Sequence, residues 1–238
     1  MSGRRKEHGS RSHGVRERRH VRQDSHFRVY QKWVTQAIWI RISPAATTLI
    51  TEMFLDCEND NHEPVQISLR EAAEKARVSE PTAHAALKEL VEYNWLQKEQ
   101  GGALEGPLAH RAAQYRITPP EHEKGWPHFR LYRKWRNIPA WIYLSNEGRK
   151  LHITLKASHK YRSKNKFPID IYGVKALLNC KDRKAREAIA ELVEKGFLHR
   201  EGVGQRATYS FTDMLRCGEQ KATECFRHWR PEEPRKAA

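Results

Sequence analysis

Residues 68–96 read SLREAAEKARVSEPTAHAALKELVEYNWL, and their spacing predicts two helices joined by a short turn. Ser68 and Glu71 form a capping-box pattern at the start of the first helix. The turn falls at Arg77-Val78-Ser79. The apolar positions of the second helix recur at helical spacing, at Ala83, Ala86, Leu87, Leu90 and Val91. Each helix is therefore expected to bury one apolar face.

The same pattern occurs again later in the chain, displaced by 102 residues. HFRVYQKW at 26–33 becomes HFRLYRKW at 128–135, and 18 of the 71 positions of 26–96 are identical in 128–198 without a gap. Most identities are apolar or aromatic, as a shared core requires. The second helix pair has Asp170 as its expected cap and its turn at 179–181. The chain is thus predicted to hold two copies of one domain.

Each copy also has a helical stretch before the pair, at about 44–57 and 146–160, and a glycine-containing hairpin after it. The predicted fold class is mostly α with small β-hairpins, that is, α+β. The predicted parts are a disordered basic arm at 1–25, domains at 26–120 and 121–213, and a C-terminal tail at 214–238.

Three helices followed by a hairpin resemble the helix-turn-helix and wing of winged-helix DNA-binding proteins, over about 40–118 and 142–212. The tandem arrangement in a basic chain also resembles two-winged-helix plasmid replication initiators and small regulators of bacterial mobile elements. The resemblance implies two tandem winged-helix domains, in which the second helix of each pair enters the DNA major groove. It does not choose between regulation and initiation.

The formal net charge of +15 favours an anionic partner, most often nucleic acid. The charge is unevenly distributed, because 26–120 holds 10 Lys/Arg against 12 Asp/Glu, whereas 121–213 holds 20 against 10. The second domain is therefore expected to be the dominant DNA reader. The first is expected to make a weaker or more base-selective contact, or to serve a homodimer or a protein partner.

The expected base readers lie at the start of the second domain's recognition helix. Arg183 and Arg186 are the leading candidates because an arginine fork can bond guanine at two acceptors. Lys184 lies beside them, and Lys181 lies at the turn. The alternative is a solvated face on which Arg183 pairs with Glu187.

Two further basic segments are expected to contact phosphate. Arg200 and Arg206 flank the glycines of the hairpin at 199–209 and could enter a minor groove, unless the hairpin is merely exposed. The loop SHKYRSKNK at 158–166 is either a phosphate clamp or a soluble loop. Its candidate cations are Lys160, Arg162, Lys164 and Lys166.

The first domain differs at the equivalent positions. Its loop at 56–64 reads DCENDNHEP, which would repel phosphate. Its recognition helix offers Thr82, His84 and Lys88 on the outer face.

The repeated aromatic phrase permits two interpretations. Phe27, Tyr30 and Trp33 follow helical spacing, which predicts a short helix packed on the domain body. Aromatic rings interleaved with cations could instead form a stacking platform for single-stranded bases.

The sequence gives little support for a catalytic, cofactor or metal site, or for a membrane span. HExxH, Walker and GxSxG motifs do not occur, so we expect neither catalysis nor a cofactor. Cys217, Cys225 and His228 match no familiar zinc spacing, and no metal site is expected. Apolar runs are too short for a membrane span and the N-terminus is charged, so a cytoplasmic, nucleoid-associated protein is expected.

The leading hypothesis is a sequence-specific double-stranded DNA-binding protein that regulates transcription. One alternative is a replication initiator that binds repeated origin sites. Another is an interaction protein that binds nucleic acid without sequence preference.

Overall fold

A computed structural model describes residues 26–57, 64–100, 112–123, 125–159, 164–214 and 222–231. The fold is α+β, with helices as the main component and small antiparallel sheets. None of the helices in these ranges combines the length and the apolar character that crossing a bilayer requires.

The first half of the chain contains four strands and five helices within the described ranges. They are β1 (His26–Tyr30), α1 (Gln31–Thr35), α2 (Ala37–Arg41), α3 (Pro44–Asp56), β2 (Val65–Ile67), α4 (Leu69–Ala76), α5 (Glu80–Glu92), β3 (Leu96–Gln100) and β4 (Ala113–Ile117).

The second half follows the same order. It contains β5 (His128–Tyr132), a 3-10 helix (Arg133–Asn137), α6 (Pro139–Ile142), α7 (Asn146–Ser158), α8 (Ile171–Leu178), α9 (Asp182–Glu194), β6 (Leu198–Glu201), a 3-10 turn (Gly204–Arg206), β7 (Thr208–Phe211) and a 3-10 turn (Cys225–Arg227). The bounds of α7, α8 and α9 are those of α3, α4 and α5 displaced by 102 residues.

The helix pairs have the local signals that the sequence predicts. Ser68 and Glu71 form the predicted capping box, and the Asp170 side chain accepts hydrogen bonds from the backbone N–H groups of the first turn of α8. Arg77 and Asn179 end the first helix of each pair in the left-handed conformation, with φ of 54° and 47°. These residues turn the chain sharply into α5 and α9.

Each half closes with a small sheet. In the first, the strand order is β2-β4-β3. In the second, β6 pairs with β7, and Phe167 adds an isolated bridge to Tyr209 where β2 pairs with β4 in the first half. The segment before each helix pair therefore lies beside the second strand of the hairpin.

The repeated phrase begins as a strand, so the predicted helix from Phe27 is wrong for its first part. β1 pairs antiparallel with β5, and the helical turn begins only at Gln31 in one copy and Arg133 in the other. Phe27 packs on Phe54, with ring centroids 3.8 Å apart. The pairing across the chain outweighs the local helical spacing because it buries apolar side chains on one side of a two-stranded ribbon.

The tryptophans of the phrase and its surroundings lie in the core. Trp33, Trp39, Trp135 and Trp141 are each at most 3% exposed, so these rings cannot stack on bases and the platform alternative is wrong for them. Neighbouring segments complete their packing. The Trp33 indole donates to the Pro120 carbonyl at 2.9 Å, and Phe226 lies against Trp135 in the second half.

The two halves contact each other through equivalent elements, β1 with β5 and α3 with α7. Polar contacts cross this junction. Arg136 binds the carboxylates of Glu52 and Asp56, both at 2.6 Å, and Lys150 Nζ donates to the carbonyls of Ile40 at 3.1 Å and Ile42 at 2.6 Å. The halves are therefore joined by a packed interface, in addition to the connecting segment.

Candidate nucleic-acid interface

Helix α9 separates a buried face from a basic exposed face. Its buried side chains are Ala185, Ala188, Ile189 and Leu192. Lys181, at the N-cap position, and Arg183 and Arg186, in the first two turns, are exposed. Because the apolar stripe holds the helix to α7 and α8, these cations point away from the core.

Arg183 is the most exposed of the ion-paired cations on this helix, with 87% of its side chain accessible. It lies 3.5 Å from Glu187 in an i,i+4 pair, as the solvated-face alternative predicts. An exposed pair of this kind contributes little energy and is easily exchanged for another partner. The pair therefore leaves Arg183 available to a ligand.

Lys184 differs from its neighbours. Its ammonium group donates to Glu147 at 2.7 Å, and this hydrogen bond raises the pKa of Lys184. Glu147 lies in the first turn of α7, so this partly exposed pair connects the start of α9 with the start of α7. The structure thus gives Lys184 an internal partner that the sequence did not reveal, and we place it after Arg183 and Arg186 among the candidate readers.

The hairpin presents its arginines as expected. Arg200 lies in β6 and Arg206 in the 3-10 turn before β7, and both are exposed. Gly202 and Gly204 have φ of +80° and +61°, backbone conformations that residues other than glycine rarely adopt. The glycines thus form the tight turn that separates the two arginines.

The basic loop of the second half lies beside this hairpin. Lys160 and Arg162 lie outside the described residues. Lys164 is exposed, and Lys166 pairs with Glu201 at 2.6 Å. The buried Asn165 between them exchanges hydrogen bonds of 2.8 Å with the backbone of Phe211, which fixes the end of the loop to β7.

The candidate residues of the first half are less prominent. Thr82 and Lys88 are exposed on α5, and His84 is half-buried. The Thr82 hydroxyl lies 2.9 Å from that of Ser79 in the first turn. At the positions equivalent to Arg183 and Arg186, α5 has Pro81 and the half-buried His84.

In the described part of the acidic loop of the first half, the carboxylate of Asp56 pairs with two cations. Burial opposes ionisation of Asp56, but hydrogen bonds from Arg136 and Lys75 bring the pKa of its carboxyl below the ordinary value. Asp56 thus serves the junction between the halves. Residues 58–63, including His62, lie outside the described residues.

Two carboxylates that the sequence analysis did not single out connect α5 with the start of α3 and α9 with the start of α7. Glu89 of α5 accepts hydrogen bonds from the backbone N–H and hydroxyl of Ser43, at 2.7 and 2.6 Å. Glu191 of α9 accepts the same two bonds from Ser145. Both glutamates and both serines are identical under the displacement of 102 residues, which was the available signal.

Buried ionisable groups lie beneath α9 on helix α7. Burial brings the pKa of Arg149 down to about 10 and that of Lys150 down to about 8. His152 lies among aromatic rings, with the Phe197 centroid 4.9 Å away, and burial lowers its pKa well below the ordinary value. These side chains are enclosed by the fold.

The C-terminal metal candidates do not form a cluster that the structure describes. Cys217 lies outside the described residues. Within the described ranges no group of three or more His, Cys, Asp and Glu side chains is placed to hold a metal ion.

Comparisons of the chain with protein-family models, with curated proteins and with solved structures gave no match.

Proposed function

We propose that this protein binds double-stranded DNA at a specific sequence and regulates transcription, with the second half as the dominant reader. The single observation that carries the proposal is the exposed basic start of α9. Lys181, Arg183 and Arg186 lie on the solvent face of a helix whose opposite face is buried. In a helix-turn-helix this is the end that reaches base edges in the major groove.

The element order supports assigning a winged helix to each half. In the first half, a helix, a short strand, a helix pair and a hairpin follow one another, with the strand paired to the far strand of the hairpin; in the second half, the isolated bridge of Phe167 stands in the position of that strand. In winged-helix proteins the hairpin in this position contacts the DNA backbone, and we propose the same role here. Arg200 and Arg206 would make those contacts in the second half.

The distribution of charge supports a larger contribution of the second half to DNA binding. At the positions equivalent to Arg183 and Arg186, the first half has Pro81 and His84. Neither can form the bidentate contact that an arginine makes with guanine. The first half would therefore add a weaker contact, and such a regulator would work in the cytoplasm on the nucleoid.

Selection from random duplexes tests the proposal. We expect the full chain to enrich one sequence, and the Arg186→Ala variant to relax the preference at one or two positions of that sequence. His84→Ala, the matched change in the first half, should have the smaller effect. Enrichment of no sequence by the unmodified chain would instead favour the non-specific interaction protein.

A further inference from the structure

The pairing of β1 with β5 relates the two halves in a particular way. Arg28 lies directly opposite Arg130, its own equivalent under the displacement of 102 residues. On either side the partners exchange, because His26 faces Tyr132 and Tyr30 faces His128. Reciprocity of this kind is the property of a two-fold contact, in which each residue meets the equivalent of its partner.

The helices beneath the ribbon have the same relationship. Helix α3 packs against its equivalent α7. The Trp39 indole donates to Thr154 at 2.8 Å, whereas the equivalent Trp141 indole N–H has no hydrogen-bond partner among the described residues, so the relationship is approximate. An approximate two-fold axis therefore passes through the centre of the ribbon and between α3 and α7.

The junction holds this arrangement in place. Arg136 reaches from the second half to Glu52 and Asp56 of the first, and the Asn146 side chain donates to the Ala76 carbonyl at 3.0 Å. Ala76 ends α4, immediately before the turn into α5. The orientation of the first recognition helix is thus tied to the start of α7 in the second half.

We infer that one chain recognises a single duplex site made of two unequal half-sites in inverted orientation. This inference rests on the proposed function. A DNA duplex has local two-fold axes perpendicular to its length, so helix-turn-helix units related by a two-fold axis meet half-sites of opposite direction. Half-sites arranged as a direct repeat would require units related by translation, and a translation does not produce the reciprocal β1–β5 pairing.

The half-sites are unequal because the residues in the first turns of the two helices differ. Pro81, Thr82 and His84 on α5 stand where α9 has Arg183, Lys184 and Arg186. The two halves thus have the geometry of a symmetric dimer but not its chemistry. A chain that makes both helices alike should therefore select a symmetric site.

The test is a triple variant, Pro81→Arg, Thr82→Lys and His84→Arg, used in selection from random duplexes beside the unmodified chain. We expect the variant to enrich a palindrome whose two halves both match the stronger half-site of the unmodified chain. A direct repeat of that half-site, or one half-site with no second copy, would overturn the inference. Glu92→Lys with Thr35→Lys adds the same formal charge at exposed positions away from the helix start and the hairpin, and should leave the selected sequence unchanged.

A measurement on the unmodified chain covers the case in which the triple variant does not fold. Ethylation interference on the selected duplex should locate the critical phosphates of one half-site on one strand and those of the other on the complementary strand, related by a dyad. Critical phosphates repeated along the same strand would contradict the inference while leaving sequence-specific binding intact. If the unmodified chain selects no sequence at all, the proposed function fails first.

Discussion

Glu191 accepts two hydrogen bonds from Ser145, one from its backbone N–H at 2.9 Å and one from its hydroxyl. Ser145 also caps α7 by accepting from the Gly148 N–H at 3.0 Å. One carboxylate in the last turn of α9 therefore fixes the start of α7. Glu89 and Ser43 make the equivalent contact in the first half.

Replacing Glu191 with alanine should destabilise the fold by about 2–3 kcal/mol, because it removes a charged acceptor and leaves the partly buried N–H of Ser145 without a partner. Urea unfolding followed by circular dichroism measures the change. Glu194→Ala is the matched control, because this glutamate is exposed on the same helix, and its cost should stay within about 0.5 kcal/mol. Equal losses for the two variants would show that the serine contact contributes nothing.

Two cations of the second half should affect DNA binding differently. Arg186→Ala should reduce discrimination between the selected site and a single-base variant by about 1–3 kcal/mol, because the proposed function assigns a base contact to Arg186. Lys164→Ala should weaken binding to all duplexes similarly and reduce the slope of log K against log salt by about one. Titrations at several salt concentrations measure both quantities, and the same loss of discrimination from both changes would refute the division of roles.

Stability should fall in mild acid because of His152. Burial and the nearby Lys156 charge keep the pKa of this histidine well below 6.5 in the fold, whereas the unfolded chain accepts a proton near that pH. The folded state then binds fewer protons than the unfolded state, so stability decreases as the pH falls below 6.5, by at most about 1.4 kcal/mol per pH unit. Unfolding of the wild type should show this decrease relative to His152→Leu, and parallel curves for the two proteins would contradict it.

Lys150 should make the stability of the fold depend on pH in the alkaline range. Burial brings its pKa to about 8, against an ordinary value of 10.5, although Glu89 partly opposes this shift. Between these values the unfolded chain holds a proton that the fold has released, so this residue's contribution to stability rises with pH. The free energy of unfolding of the wild type, minus that of Lys150→Met, should therefore increase from pH 8 to pH 10.5. A constant difference across that range would mean that the ammonium group is fully solvated or ideally paired.

The sequence predicted the helices well where the signals are local. Ser68 with Glu71 marked the start of α4, and the apolar spacing from Ala83 to Leu90 marked the buried face of α5. The strand β1 was missed because Phe27, Tyr30 and Trp33 also satisfy helical spacing. Its partner lies 102 residues away, and only the assembled chain brings the two together.

The candidate site was also predictable only where its signals are local in the sequence. The exposure of Arg183 and Arg186 follows from the buried stripe of their own helix, which is visible in the sequence. The contact of Lys184 depends on Glu147, 37 residues earlier, so no local pattern could indicate it. Lys150 and His152 are polar residues that the fold buries, Lys150 at the junction of the halves and His152 among aromatic rings of the second half.

Competition binding tests the central claim, sequence-specific recognition of DNA, most directly. A labelled duplex that carries the selected site is bound by the full chain at roughly physiological salt and challenged with unlabelled DNA of equal length. The claim predicts that the specific competitor displaces the label at a concentration at least about a thousandfold lower than unrelated DNA requires. Displacement by both competitors at the same concentration would contradict it.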